Sequence, residues 1–339
     1  MLYLSLQITV TDSAPNNPIT LDPAPPDWRY NAPPPYFAAL PNRPSTKSFL
    51  LACALFLLTL CTCLVAGTHF ALAYAHNQAV SWDAFLNAFT LIYRHPLALA
   101  AGLPFALTLL TILLAHELGH FFACRHHHIR SSYPFFIPFP TLIGTLGAFI
   151  LIRSPIRTTR ALFDVGASGP LVGFIVAIPA LIFGILHAKF VPGLAIPADD
   201  KIILGSPLLL HLLAPLLRHG ASASNLLLHP VGRAAWVGLF ATSLNLLPAA
   251  QLDGGHILRS LNQRAHRFSS FLLPLLLIFL GLRFWGGWYV WGALLLGIQF
   301  LRMLPIYNPE PLDASRRAAA LFALLVFLLS FMPSPFIDH

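Results

Sequence analysis

The sequence predicts an all-α polytopic membrane protein of about six to seven transmembrane helices, with a re-entrant loop or β-hairpin between the second and third. Two observations carry this. Hydrophobic residues make up 57% of the 339-residue chain and charged residues 9%, against about 45–50% and about 25% in soluble domains; the mean hydropathy is +0.72. The apolar residues also gather into stretches of roughly 20, the length that crosses a hydrocarbon layer of roughly 30 Å. A free-standing soluble enzyme is excluded.

Taken in order, residues 1–47 hold ten of the 30 prolines, with Pro25-Pro26 and Pro33-Pro34-Pro35 as runs. Such a segment neither continues a helix nor buries a core, so it reads as a disordered cytoplasmic tail. Residues 48–95 form the next unit. Within it, 49–75 carry no charged side chain apart from His69 and make the first span, and 76–95, with Trp82, Asp83 and Arg94, make an interfacial helix. The unit 96–260 carries the chemistry. Residues 96–115 are the second span and run into His116. Pro134 to Ile152 is apolar but broken by three prolines and two glycines, which argues for a re-entrant loop or hairpin held against protein or water. Residues 165–188 and 234–252 make the third and fourth spans, joined through an amphipathic stretch near Leu208–Leu217. The unit 261–339 supplies C-terminal transmembrane helices: two short apolar runs in 269–301, broken at Arg283 and Gly286-Gly287, and a last segment, 318–332.

The net charge of +8 is scattered and makes no nucleic-acid face. It fits an orientation instead. Arg43 and Lys47, five arginines after the second span, Arg259, Arg264 and Arg267, and Arg302, Arg316 and Arg317 all fall on one side if the N-terminus is cytoplasmic. Lys189, Lys201, Arg218 and Arg233 lie opposite. Cys53, Cys61, Cys63 and Cys124 contain no CxxC pair and read as small apolar helix residues.

The chemistry is concentrated in His116-Glu117-Leu118-Gly119-His120. On a helix the two histidines, four apart, share a face and can reach one metal ion, with the glutamate beside them placed to act on water. The chain has only two glutamates, Glu117 and Glu310, and a carboxylate at the end of a membrane helix needs a partner or a task. Zinc in a catalytic site takes three protein ligands and keeps one position open. The third candidate is Asp253, in Asn245-Leu246-Leu247-Pro248-Ala249-Ala250-Gln251-Leu252-Asp253-Gly254-Gly255. One span separates the two motifs, so the second and fourth helices run the same way and their C-terminal ends reach the same depth. This gives one Zn²⁺ per chain on His116, His120 and Asp253. Three neighbours read more plainly. Arg125-His126-His127-His128 is a basic collar, because consecutive helical residues point apart. Cys124, four after His120, is a core cysteine with a lesser reading as a ligand. Asp164 is a helix cap.

The pair HELGH and NLLPAAQLDGG resembles the site-2 protease family of intramembrane zinc metalloproteases, peptidase family M50, over residues 96–260. Gly144-Thr145-Leu146-Gly147-Ala148-Phe149 and Phe163-Asp164-Val165-Gly166-Ala167-Ser168-Gly169-Pro170 add to the likeness. The resemblance implies zinc on His116, His120 and Asp253, with Glu117 as catalytic base. It also implies an active-site position for Asn245, which would orient substrate or stabilise an oxyanion. The 42 residues of 189–230 are too few for a PDZ domain, so the likeness is to the PDZ-less branch. The implied activity is hydrolysis of peptide bonds in or near transmembrane helices. The implied partners are a single-span membrane protein as substrate and the lipid bilayer, with homo-oligomerisation left open. The implied place is a bacterial cytoplasmic membrane. A metal transporter and a non-catalytic helix-binding pseudoprotease are the alternatives. A helix opened in lipid leaves backbone groups unpaired. Residues 141–152 are therefore expected either to pair with the extended substrate as an edge strand, with Gly144 and Gly147 allowing close approach, or to pack as a helix through Gly144 and Ala148.

Overall fold

The structure is a computed structural model that describes residues 46–192, 194, 201–219, 222–299 and 310–337. The tail read at 1–47 lies almost wholly outside the described residues, as does Arg302. Helix α1, Thr46–Ala75, has 30 residues and at 1.5 Å per residue is about 45 Å long, more than the apolar layer needs. Strand β1, Val80–Ser81, leads into α2, Trp82–Arg94, where the Ser81 hydroxyl accepts from the Ala84 amide at 3.1 Å and Asp83 stands in the first turn. This helix lies within 76–95, the stretch read as an interfacial helix. A 3₁₀ turn, Pro96–Gly102, feeds α3, Leu103–His126. Strands β2, Phe135–Pro138, and β3, Thr145–Phe149, follow, and then α4, Thr159–Leu186, capped by the Thr158 hydroxyl on Ala161 N at 3.1 Å.

Beyond α4 come β4 (Lys189–Phe190), β5 (Lys201–Leu204), α5 (Leu208–Leu217) and β6 (Leu226–Leu227). Then follow α6 (Pro230–Asn245), α7 (Asp253–Leu261), α8 (Gln263–Arg283), α9 (Gly287–Gln299), α10 (Ala314–Ser330) and β7 (Phe336–Ile337). Among the described residues the strands make three small sheets, ordered β1-β5-β7, β2-β3 and β4-β6. Helix α6 is buried on nearly every face, as a helix at the centre of a bundle must be, and α3 and α4 pack on it and on each other. Helices α8 and α9 form the tight hairpin expected in 269–301.

Among the described residues four helical segments are long and apolar enough to cross a membrane: Thr46–Ala75, Pro96–His126, Thr159–Leu186 and Gln263–Arg283. The fourth span expected at 234–252 is different. Its helix stops at Asn245, and Asp253 opens α7 rather than closing the helix before it. Pro248 explains the break: it lacks an amide donor and disfavours helical backbone at Leu247, and Ala250 then takes φ +50°. The segment 141–152 is not a helix. Residues 145–149 are a strand, antiparallel to β2 with Phe135 opposite Phe149 and Ile137 opposite Gly147, so Gly144 and Ala148 do not share a helix face. The hairpin docks on α1: Phe56 and Phe136 meet edge-to-face at 5.1 Å, and the Thr62 hydroxyl donates to Gly144 O at 2.6 Å.

Candidate metal centre

The helical period of α3 stacks His116 over His120, and their Nε2 atoms lie 3.1 Å apart. The Oδ2 of Asp253 is 3.3 Å from each. All three side chains are buried, and among the described residues theirs is the one cluster of three such groups that could hold a metal ion. A tetrahedral ion with bonds of about 2.0–2.1 Å sets its ligand atoms roughly 3.3 Å apart, and zinc accepts imidazole and carboxylate donors together. The site fits zinc on a second count: among the described residues both oxygens of the buried Asp253 carboxylate lack a hydrogen-bond donor, which is costly for an anion unless a cation holds it.

Glu117 follows His116 on α3 and is only 2% exposed. Among the described residues its Oε2 has no hydrogen-bond partner. A carboxylate beside the donor set, outside it and with an uncommitted oxygen, is equipped to take a proton. Asn245, the last residue of α6, brings its Nδ2 to 3.3 Å from His116 Nε2. It therefore stands beside the donor set.

The glycines of the hairpin part company. A Cβ on Gly144 (φ +85°) would fall 2.6 Å from the Cα of Cys63, so its close approach is to α1. Gly147 (φ +108°) faces open space, with nothing within 4 Å of a Cβ. Cys124 is buried in a cluster with Ile129, Ile150, Ala161 and Val165 and is a core residue; all four cysteines are free.

Asp164 is not a cap. It sits inside α4, whose cap is Thr158. Its Oδ1 accepts from Arg316 Nε at 2.8 Å, and its Oδ2 accepts from Arg316 Nη2 at 2.6 Å and faces His127 Nε2 at 2.8 Å. Arg316 also pairs with Asp313. Asp164 thus ties the end of α3 to the start of α10, one residue before Val165.

Several positioning groups carry no motif in the sequence. The backbone oxygen of Val165 accepts from His120 Nδ1 at 2.7 Å, which fixes the tautomer and leaves Nε2 free for a metal. The loop that delivers Asp253 is held by α8: Ser270 Oγ accepts from Ala250 N at 2.9 Å, His266 Nε2 donates to Ala250 O at 3.0 Å, and Ser269 Oγ donates to Pro248 O at 2.5 Å. A Cβ on Gly255 would sit 2.5 Å from the oxygens of both Ala249 and Ala250, so the loop closes onto α7 only over glycine. The flat face of α4 presents Gly169 and Gly173 to His120 and His116. The small-residue spacing Gly166, Gly169, Gly173 was the available signal for that face.

Residues 104–280, just over half of the chain, match peptidase family M50. Three curated relatives bear related names. The chain is 30% identical over 301 residues to the probable zinc metalloprotease EGY1, chloroplastic, of Oryza sativa subsp. japonica, covering 86% of this chain and 52% of that one. It is 32% identical over 242 residues to EGY1 of Arabidopsis thaliana, covering 69% and 43%. It is 31% identical over 248 residues to EGY2 of the same plant, covering 69% and 42%. The chain therefore spans about half the length, or less, of the curated relatives it matches. No solved structure matches it.

Proposed function

The chain belongs to peptidase family M50, and from that premise we propose that it is an intramembrane zinc metalloprotease cutting peptide bonds in or near transmembrane helices of membrane-anchored proteins. The observation that carries the reading is the convergence of three buried donors at 3.1–3.3 Å beside an uncommitted buried carboxylate on the same helix. His116, His120 and Asp253 would hold one zinc ion. When bound, zinc supplies Lewis-acid chemistry, acidifying water and polarising a carbonyl. Glu117 Oε2 takes the proton of the attacking water and passes it to the leaving amine. Asn245 Nδ2 donates to the substrate carbonyl oxygen as negative charge gathers there. Val165 O keeps His120 in the metal-binding tautomer throughout. A transporter would spread ligands over several depths of the bilayer, whereas the described residues offer one cluster.

The test is direct. Purified protein in detergent should contain one zinc per chain and cut a reporter carrying a single transmembrane helix. A strong chelator should abolish cutting, and added zinc should restore it. Cutting that persists in fully chelated, zinc-free protein would sink the proposal.

The substrate reading extends to the hairpin. Strand β3 pairs with β2 along one edge, and among the described residues its other edge has no ladder partner. It lies against α3, with Leu146 exposed and Gly147 open. An unwound substrate strand added there would regain the backbone hydrogen bonds it loses on leaving its helix. Proline at alternate positions from Thr145 to Phe149 separates the two edges. The set that removes outward-facing donors should lower cleavage about tenfold or more with zinc content intact. Equal cleavage by every proline variant would exclude strand addition.

The protein is integral to a membrane. In the finer reading α6, α9 and α10 bring the spans to six or seven, the hairpin re-enters the layer, and the N-terminus is cytoplasmic in a bacterial membrane. Support for the orientation comes from the basic clusters and from the pairing of Arg160 with Glu310 and of Arg316 with Asp164 on one side. The named relatives are chloroplastic plant proteins. Labelling of single cysteines placed in residues 1–45 by a membrane-impermeant reagent, before and after lysis, reads the orientation. The domain limits at 47, 95 and 260 belong to the same proposal.

A further inference from the structure

At the end of the molecule remote from the metal donors, where α4 finishes and α6 begins, lies a cavity of about 310 Å³. Most of its wall is apolar, with Ile202 of β5 and Leu226 of β6 among the residues, and its polar side chains are Ser206, His211, Ser224 and Arg233. Among the described residues no acidic side chain lines it. Arg233 is only 9% exposed. Among the described residues its guanidinium has neither a hydrogen bond nor an ion pair, and it borders the cavity.

Among the described residues this arrangement lacks a counter-charge. A buried cation is retained when an anion answers it. Here two sources of positive potential coincide, because Arg233 stands in the first turns of α6, whose N-terminal end already favours negative charge. The planar fork of a guanidinium matches a carboxylate through two parallel hydrogen bonds, and the serine hydroxyls can donate as well. The leucine and isoleucine walls would repel a fully hydrated ion and suit an apolar group attached to the anion. The volume stands at the low end for small-ligand sites.

We infer that the cavity around Arg233 is a binding site for a carboxylate carried next to an apolar side chain, as in a free N-acyl amino acid or the C-terminal residue of a peptide. The site is independent of the metal centre and does not rest on the protease reading.

The experiment is calorimetric titration of the full-length protein in detergent. N-acetyl-leucine and a short peptide ending in leucine are each compared with the corresponding C-terminal amide. Binding of the acids, with the amides at least tenfold weaker, is expected; the stronger of the two acids identifies the source. Arg233→Gln should weaken acid binding tenfold or more, and Arg233→Lys should recover part of it, with zinc content unchanged in both. Equal binding of acid and amide, or wild-type binding by Arg233→Gln, overturns the proposal. So does binding of inorganic phosphate, or of phosphatidylglycerol but not phosphatidylcholine nanodiscs, in place of the carboxylates. If Arg233→Gln fails to fold, the acid and amide comparison on the wild-type protein decides alone. Acid binding that appears only after Asp199→Asn and Asp200→Asn would mean that the anion is the chain's own, and the proposal fails.

Discussion

Glu117→Gln is expected to lower the rate of peptide cleavage by about 10²–10⁴-fold, the range over which a positioned general base contributes, while the protein still binds one zinc per chain. The two halves of that result come from different atoms. The donors that converge are the Nε2 atoms of His116 and His120 and the Oδ2 of Asp253; Glu117 is not among them. Its buried Oε2 has no partner among the described residues, so the amide group of glutamine replaces the carboxylate without breaking a hydrogen bond at that atom. Glutamine keeps the size of the side chain and loses the ability to accept and return a proton. Metal analysis and cleavage of the single-helix reporter, run on wild type and variant side by side, check it. Loss of zinc from the variant would place Glu117 among the ligands. Undiminished cleavage would remove it from the mechanism.

The difference between Glu117 and the other positioning groups is a difference in how far their information travels along the chain. His116, Glu117 and His120 announce themselves because one turn of one helix brings them together, and a 3.6-residue period is visible in any window. Asp253 is legible as a carboxylate in an apolar setting. Its place in the fold is not: Leu246-Leu247 and Ala249-Ala250 read as more of the same span, and Pro248 was the sign that the helix stops. The span count suffers for the same reason, because composition marks apolar length and does not say whether a helix such as α6 faces lipid or other helices. Asp164 is out of reach of local reasoning, since one partner, Arg316, lies 152 residues away. The acceptor of His120 is harder still. A backbone carbonyl has no side-chain signature, so Val165 could be found only once α4 was docked on α3. Arg233 belongs with these, as one more basic residue in the sequence and a buried charge beside a cavity in the fold.

The docking of α4 on α3 sets the last expected result, in which Gly169→Ala disables the enzyme more severely than Gly173→Ala. Both glycines sit where α4 lies flat against the metal donors. A Cβ on Gly169 would land on the His120 ring at Nε2, the atom offered to the metal. A Cβ on Gly173 would stop 3.2 Å from the Cβ and Nδ1 of His116, a crowded contact that a few tenths of an ångström relieve. His120 has no such room, because its Nδ1 is bound to Val165 O at 2.7 Å and the ring is fully buried. Either the ring gives up that bond or α4 moves off α3, and displacement of a reacting or ligating group by about 1 Å costs about 10²-fold in rate. Loss of an orienting partner of a metal ligand costs about 10–100-fold in affinity. Gly169→Ala should therefore reduce both zinc affinity and cleavage by about 10²-fold or more, and Gly173→Ala by about tenfold or less. The fold should survive in each, since overpacking by one methyl group costs about 1–3 kcal/mol. Competition with a zinc-buffering dye gives the affinities, the single-helix reporter gives the rates, and a thermal melt separates site damage from unfolding. Equal effects at the two positions, or a larger one at Gly173, would mean that α4 does not press on the donors in the way the structure places it.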